Sequence, residues 1–176
     1  MQTIKVPISK KQGNALNAGD SILLTGVIYT SRDQAHKRLV SLIKKGKNLP
    51  FNLKGQVIYY CGPTSTPKGK VIGSCGPTTS SRMDDFVEPL LKKGLVAMIG
   101  KGRRSSKVRN LIKKHKGVYF IAPSGCGVLL AKKVIANDTI CFSELGPESI
   151  CELYVENFPL IVGIDSKGNS IYKDLR

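Results

Sequence analysis

Negative charge is scarce in this chain. Twelve Asp or Glu stand against 28 Lys or Arg in 176 residues, a formal net charge of +16. The shortage is local. Residues 1–137 hold 25 basic side chains against 5 acidic, a balance of +20, whereas residues 138–176 hold 3 against 7, a balance of −4. A basic surface draws anions, whether nucleic acid, an acidic partner or a dianionic substrate. Aromatic residues are also few, at 6%, and none interleaves with Lys44, Lys45 and Lys47, with Lys101, Arg103, Arg104, Lys107 and Arg109, or with Lys113, Lys114 and Lys116. No base-stacking platform is visible. A basic nucleic-acid-binding module therefore stays a distant alternative, and most of these lysines read as solvated surface, several at helix ends where a cation suits the dipole.

Other absences narrow the class further. No apolar run approaches the roughly 18 residues of a membrane span. The start, Met1 to Ile8, reads as a strand and lacks the apolar core and cleavage site of a signal peptide. A cytoplasmic protein without membrane partners is expected. Cys61, Cys75, Cys126, Cys141 and Cys151 form no CxxC pair, and His36 and His115 are the two histidines, so no zinc pattern exists. An odd number of cysteines without a signal peptide implies reduced, buried thiols. There is neither a solenoid repeat nor a low-complexity linker. With 41% hydrophobic content, one compact domain over 1–176 is expected.

The remaining pattern is strand and helix in alternation. Strands are expected near 3–8, 21–29, 56–60, 70–74, 95–99, 118–122, 139–142, 150–155 and 160–164, rich in Val, Ile, Leu, Tyr and Phe. A helix is expected from Arg32 to Lys45, with Ala35, Leu39, Leu42 and Ile43 on one face, Ser31 as cap and Gly46 as stop. Others are expected from Met83 to Lys93 with a kink or restart at Pro89, from Ser105 to Lys114, and from Gly125 to Lys133 with a buried apolar body. Alternation in the middle and strand-rich ends predict a mixed α/β fold of three layers.

Three strand-to-helix junctions carry chemistry. The richest is Val71 to Asp84, where an apolar pair gives way to Gly73, Gly76 and Pro77, then to the hydroxyls Thr78 to Ser81, then to Arg82. Backbone N–H groups, hydroxyls and a guanidinium cradle a carboxylate or phosphate; a Ser/Thr-rich capping turn is the plain alternative. The second runs from Thr25 to Arg38 and places Arg32, Asp33 and His36 in the first turn of a helix, Arg32 and His36 sharing a face. The third is Gly100-Lys-Gly-Arg-Arg-Ser105, whose glycines allow close backbone approach but whose spacing is not that of a Walker motif. Ligands gather at the carboxyl ends of strands in α/β sheets. Arg32, Arg82 and Lys101 would there serve a substrate with two carboxylates, and Thr78 a proton transfer, with help from outside the chain. One echo joins the set: Tyr60-Cys-Gly-Pro-Thr-Ser-Thr66 and Ser74-Cys-Gly-Pro-Thr-Thr-Ser80 predict two hydroxyl-rich loops side by side.

These blocks, with Met98 to Gly102 and Phe158 to Asn169, resemble the beta subunit or C-terminal domain of class I fumarate hydratases and of L-tartrate dehydratases. Nearly the whole chain is covered, and Gly-Pro-Thr-Thr-x-x-Arg-Met-Asp is specific to the family. Ser31 and Ser81 stand where many relatives carry Gly, and Cys75 where Ala is common. The resemblance implies a swivelling β/β/α domain with a mixed sheet. It implies hydration of fumarate to (S)-malate or, alternatively, dehydration of L-tartrate, using a 4Fe–4S cluster ligated by a partner alpha subunit, the two kinds of subunit forming a heterotetramer. It further implies Thr78 as the acid–base residue, Arg32, Thr79, Arg82 and Lys101 as ligands of a small dicarboxylate, and Asp33 and His36 in support.

Overall fold

The computed structural model describes residues 1–172. Seven strands make one mixed sheet: β1 (Gln2–Lys5), β2 (Ser21–Thr30), β3 (Val57–Tyr59), β4 (Ala97–Gly100), β5 (Val118–Ile121), β6 (Val134–Cys141) and β7 (Ile150–Ile164). The neighbours β1–β2, β2–β3, β3–β4 and β4–β5 are parallel. The long β7 runs antiparallel to β5, β6 and β2. Because β7 pairs with both β5 and β2, the circuit β2–β3–β4–β5–β7 closes on itself. Strand β7 bends to manage this. Asn157 sits at φ 49°, and the β2–β7 register shifts between Leu24 and Gly26.

Side chains alternate across the strands. Tyr59, Ile99, Phe120 and Phe158 point into the closed circuit, packed with Ile22, Leu24 and Val162. Tyr60, Met98 and Tyr119 point outward, beneath α2 (Asp33–Lys44), α3 (Val87–Lys92) and α4 (Ser106–His115). A mixed α/β fold is thus present, with one apolar cluster inside the strand circuit and a second between strands and helices.

Several expectations change. Residues 70–74 are loop rather than strand, because their backbone bonds locally: Thr64 N–H donates to Ser74 O and Ser74 N–H to Thr64 Oγ1. The two hydroxyl-rich loops do lie side by side through these contacts. The expected strands 150–155 and 160–164 are one strand, β7. The helix at Gly125–Lys133 shrinks to α5 (Gly127–Ala131), and it is not buried throughout: Val128 is 65% and Leu129 59% exposed, while Leu130 alone of its larger side chains turns inward. The stretch through Pro89 is a 3-10 helix (Ser80–Phe86) followed by α3, with the proline in the first turn where no N–H is needed. A short helix, α1 (Lys10–Ala15), was not anticipated; a capping box between Ser9 and Gln12 starts it.

Phe158 is fully buried and meets Tyr59 edge-on at 5.6 Å between centroids. Phe158→Ala should lower unfolding stability by about 3–5 kcal/mol, read as a reduced urea midpoint with an unchanged slope.

Candidate functional site: the carboxyl ends of the parallel strands

Of the parallel strands, β2, β3, β4 and β5 deliver their carboxyl ends to one rim. Beyond β2 the chain turns at Ser31 and Arg32 into α2. Past β3 it passes Tyr60, Cys61 and Gly62, and past β4 it reaches Lys101. The segment Thr78–Ser80 lies across the ends of β3 and β4. Thr78 N–H donates to Tyr60 O at 2.7 Å, Ser80 N–H donates to Lys101 O at 3.1 Å, and Thr79 bridges Lys101 in parallel. Lys101, distant in sequence from Thr78 and Thr79, is therefore tied to that segment by backbone. Thr78 and Lys101 are half-buried, and Thr79 is exposed.

Arg32 and Arg82 meet at Asp33. Arg82 donates to both oxygens of Asp33, through Nε at 3.0 Å and through Nη2. Arg32 Nη2 stands 3.7 Å from Asp33 and 3.8 Å from Glu148. Its Nε is buried and has no hydrogen-bond partner. The guanidinium is thus placed but not saturated. It rests against Gly62, where a Cβ would fall 2.7 Å from Arg32 Cδ, so only glycine leaves it room. Partial burial opposes ionisation of Asp33, but the Arg82 hydrogen bonds and the two neighbouring guanidinium charges outweigh it and hold the carboxyl below its ordinary value.

His36 supports this turn from beneath. It is fully buried, and its Nδ1 lies 2.8 Å from Ser31 Oγ and 2.9 Å from Arg32 O. Ser31 therefore does not cap α2 as expected. Its hydroxyl is spent on the imidazole, and the cap residue is Arg32, without a side-chain bond. The free N–H of Gln34 is met instead by Glu148 Oε2 at 2.8 Å. Glu148 lies 114 residues along the chain in a 3-10 segment (Ser143–Glu148), beyond the reach of any local pattern.

Arg104, counted above among a basic cluster, is no surface charge. Its Nε donates to Asp84 at 2.7 Å with the arginine side chain fully buried, and Asp84 also accepts Ser105 N–H at 2.9 Å. The guanidinium lies 5.3 Å from the Tyr60 ring and 5.1 Å from the Tyr119 ring. The other members disperse as well. Arg109 Nε donates to Gly168 O, and Arg103 stacks on Tyr172 at 5.5 Å. The basic run is thus divided between interior and surface rather than aligned as a nucleic-acid stripe.

Two consequences are measurable. Asp84→Asn leaves the buried Arg104 without its counter-charge and should cost about 3–5 kcal/mol of stability in chemical unfolding. Burial pushes the His36 pKa down to about 4, against a smaller opposing effect of its bond to Arg32. The unfolded chain takes up this proton near 6.5 and the native chain only near 4, so stability is whole above pH 6.5 and declines as pH falls toward 4. Between pH 7 and 5 the loss from this site should be about 2 kcal/mol. His36→Asn should remove most of that pH dependence; an undiminished loss in the variant would place its origin elsewhere.

Comparison with known proteins identifies the family of the chain. The putative L(+)-tartrate dehydratase subunit beta of Methanocaldococcus jannaschii is 41% identical over 174 residues, covering 96% of this chain and 89% of its own length. The anaerobic class I fumarate hydratase of Escherichia coli is 41% identical over 154 residues, covering 86% of this chain and 28% of that protein. Fumarate hydratase 2 of Leishmania major is 38% identical over 173 residues, 96% of this chain and 30% of that protein. The chain therefore spans nearly all of the first relative and less than a third of either fumarate hydratase. The family model described as the fumarase C-terminus matches residues 2–175, and the chain belongs to that family.

Proposed function

We propose that this chain is the beta subunit of an iron–sulfur hydro-lyase that reversibly hydrates fumarate to (S)-malate. The observation that carries the reading is the joining of Arg32, Thr78, Arg82 and Lys101, from three separate junctions, at one rim of a fumarase C-terminus fold. Arg32, Arg82 and Lys101 bind the two carboxylates of a small dicarboxylate, and Thr79 adds a hydroxyl donor. The Arg32 guanidinium is suited to this, being partly exposed and only 3.7 Å from Asp33 and 3.8 Å from Glu148 through Nη2, contacts too long to be hydrogen bonds. Asp33 holds Arg82 in place, and His36 holds the turn that carries Arg32. Thr78 moves the proton at the substrate's C3, assisted by an acidic group of the partner, because an isolated hydroxyl is a weak base.

The chain's own donors do not suit an iron–sulfur cluster. Among the described residues no three His, Cys, Asp or Glu side chains are grouped to hold a metal ion. Burial pushes the Cys61 thiol well above its ordinary value and the Cys75 thiol up to about 11, away from the thiolate a ligand requires. On this proposal the 4Fe–4S cluster belongs to an alpha subunit, with a heterotetramer as the assembly. This chain would be the swivelling three-layer β/β/α domain, residues 1–176, that closes over the cluster. Exposed Val71 and Val128 beside a cavity of about 430 Å³ offer an apolar surface for a partner. No described helix is long and apolar enough to cross a membrane. Five free cysteines suit a cytoplasmic setting.

A second reading, L(+)-tartrate dehydratase beta subunit, is favoured by one fact: a relative covered over 89% of its own length is named putative L(+)-tartrate dehydratase subunit beta. The substrates differ by a hydroxyl, which one or two side chains can read.

With the alpha-type partner assembled anaerobically, Arg82→Ala should reduce kcat/KM for malate by roughly 10²-fold or more, while the melting temperature of the chain changes little. Full activity in that variant would overturn the site. Comparing kcat/KM for malate with that for L-tartrate decides between the two readings.

A further inference from the structure

We infer that Ser80 and Tyr119 are positioning residues that fix the Lys101 turn relative to Thr78. The inference rests on reading Lys101 as a ligand of the substrate carboxylate. Neither residue carries an assigned role, and they lie 39 positions apart.

The hydrogen bonds among these groups admit one consistent direction. Tyr119 O–H donates to Gly102 O at 2.9 Å, which uses its only proton. The 2.9 Å contact between Ser80 Oγ and Tyr119 Oη must then be donated by the serine. Ser80 Oγ in turn accepts Lys101 N–H at 3.0 Å. Together with Ser80 N–H donating to Lys101 O at 3.1 Å, both backbone groups of Lys101 and the carbonyl of Gly102 are held by this pair. Such a chain orders every proton in it and leaves the turn one geometry.

The surroundings are built to keep the chain intact. Ser80 and Tyr119 are fully buried. Burial holds the Tyr119 phenol above its ordinary value, so it remains a donor. Its ring is pressed by the Arg104 guanidinium, which Asp84 secures. A Cβ on Gly100 would fall 1.9 Å from Ser80 Oγ, so glycine there is what lets the serine reach the Lys101 backbone. Ser80 also directly follows Thr78 and Thr79. One buried hydroxyl therefore sets the spacing between the proton-transfer hydroxyl and the carboxylate-binding ammonium.

The test is a double-mutant cycle on the assembled holoenzyme, reading kcat and KM for malate in wild type, Ser80→Ala, Lys101→Ala and the double variant. Ser80→Ala should lower kcat/KM by roughly tenfold, chiefly through KM, with the double variant no worse than Lys101→Ala alone. Tyr119→Phe, which keeps the buried ring, should behave likewise and replaces Ser80→Ala if that variant fails to assemble. A full, additive loss from Ser80→Ala in the Lys101→Ala background would show a general structural role and overturn the inference. So would an unchanged KM. A silent Lys101→Ala in an active enzyme would instead remove the substrate-site reading on which the inference stands.

Discussion

The antiparallel pairing of β2 with β7 is the constraint on which the remainder depends. Strand β7 has 15 residues, and its two halves grip β2 along Ser21–Leu24 and Gly26–Tyr29. With its other edge it takes β6 and then β5. A sheet that would otherwise end at β5 is thereby closed, and Tyr59, Phe120 and Phe158 become interior. Closure also fixes the tilt of the parallel strands, since a twisted sheet can return on itself in few ways. The common rim of their carboxyl ends follows from that geometry.

On the rim, charge is apportioned rather than merely accumulated. Asp84 is committed to Arg104 and Ser105, Asp33 to Arg82, and Glu148 to the amide of Gln34. These acids fix the cations' positions without satisfying Arg32, whose Nε stays without a partner. On the proposed reading, a dianion arriving there would meet donors already oriented, so little ordering would be spent on binding. The strongly basic remainder of residues 1–137 adds a long-range attraction for anions. Salt weakens that attraction more than it weakens the short contacts of the site.

Much of the candidate site was legible because its residue types are local signals. Arg32, Asp33 and His36 crowd one helix start, and Thr78 to Arg82 follow a glycine–proline turn, patterns that survive whatever the fold does around them. Helix α2 was legible from the spacing of Ala35, Leu39 and Ile43. The loop at 70–74 was not, because Val71 and Ile72 carry strand propensity while their backbone is claimed by Thr64 across the loop pair. The burial of α5 was misjudged because apolar type alone does not say which side of a five-residue helix faces the sheet.

The sequence by itself determined the alternation of strand and helix, the cationic excess and the cationic and hydroxyl side chains gathered at three strand-to-helix junctions, since these depend on side-chain chemistry and near-neighbour spacing. Only the tertiary structure decided which of those groups meet. It spent Ser31 on His36 instead of the helix end, brought Glu148 to that end from 114 residues away, buried Arg104 between two tyrosines, and joined Ser80 to Tyr119 beneath Lys101. Each is a contact between distant segments, set by the closed strand circuit, and no periodicity along one segment encodes it.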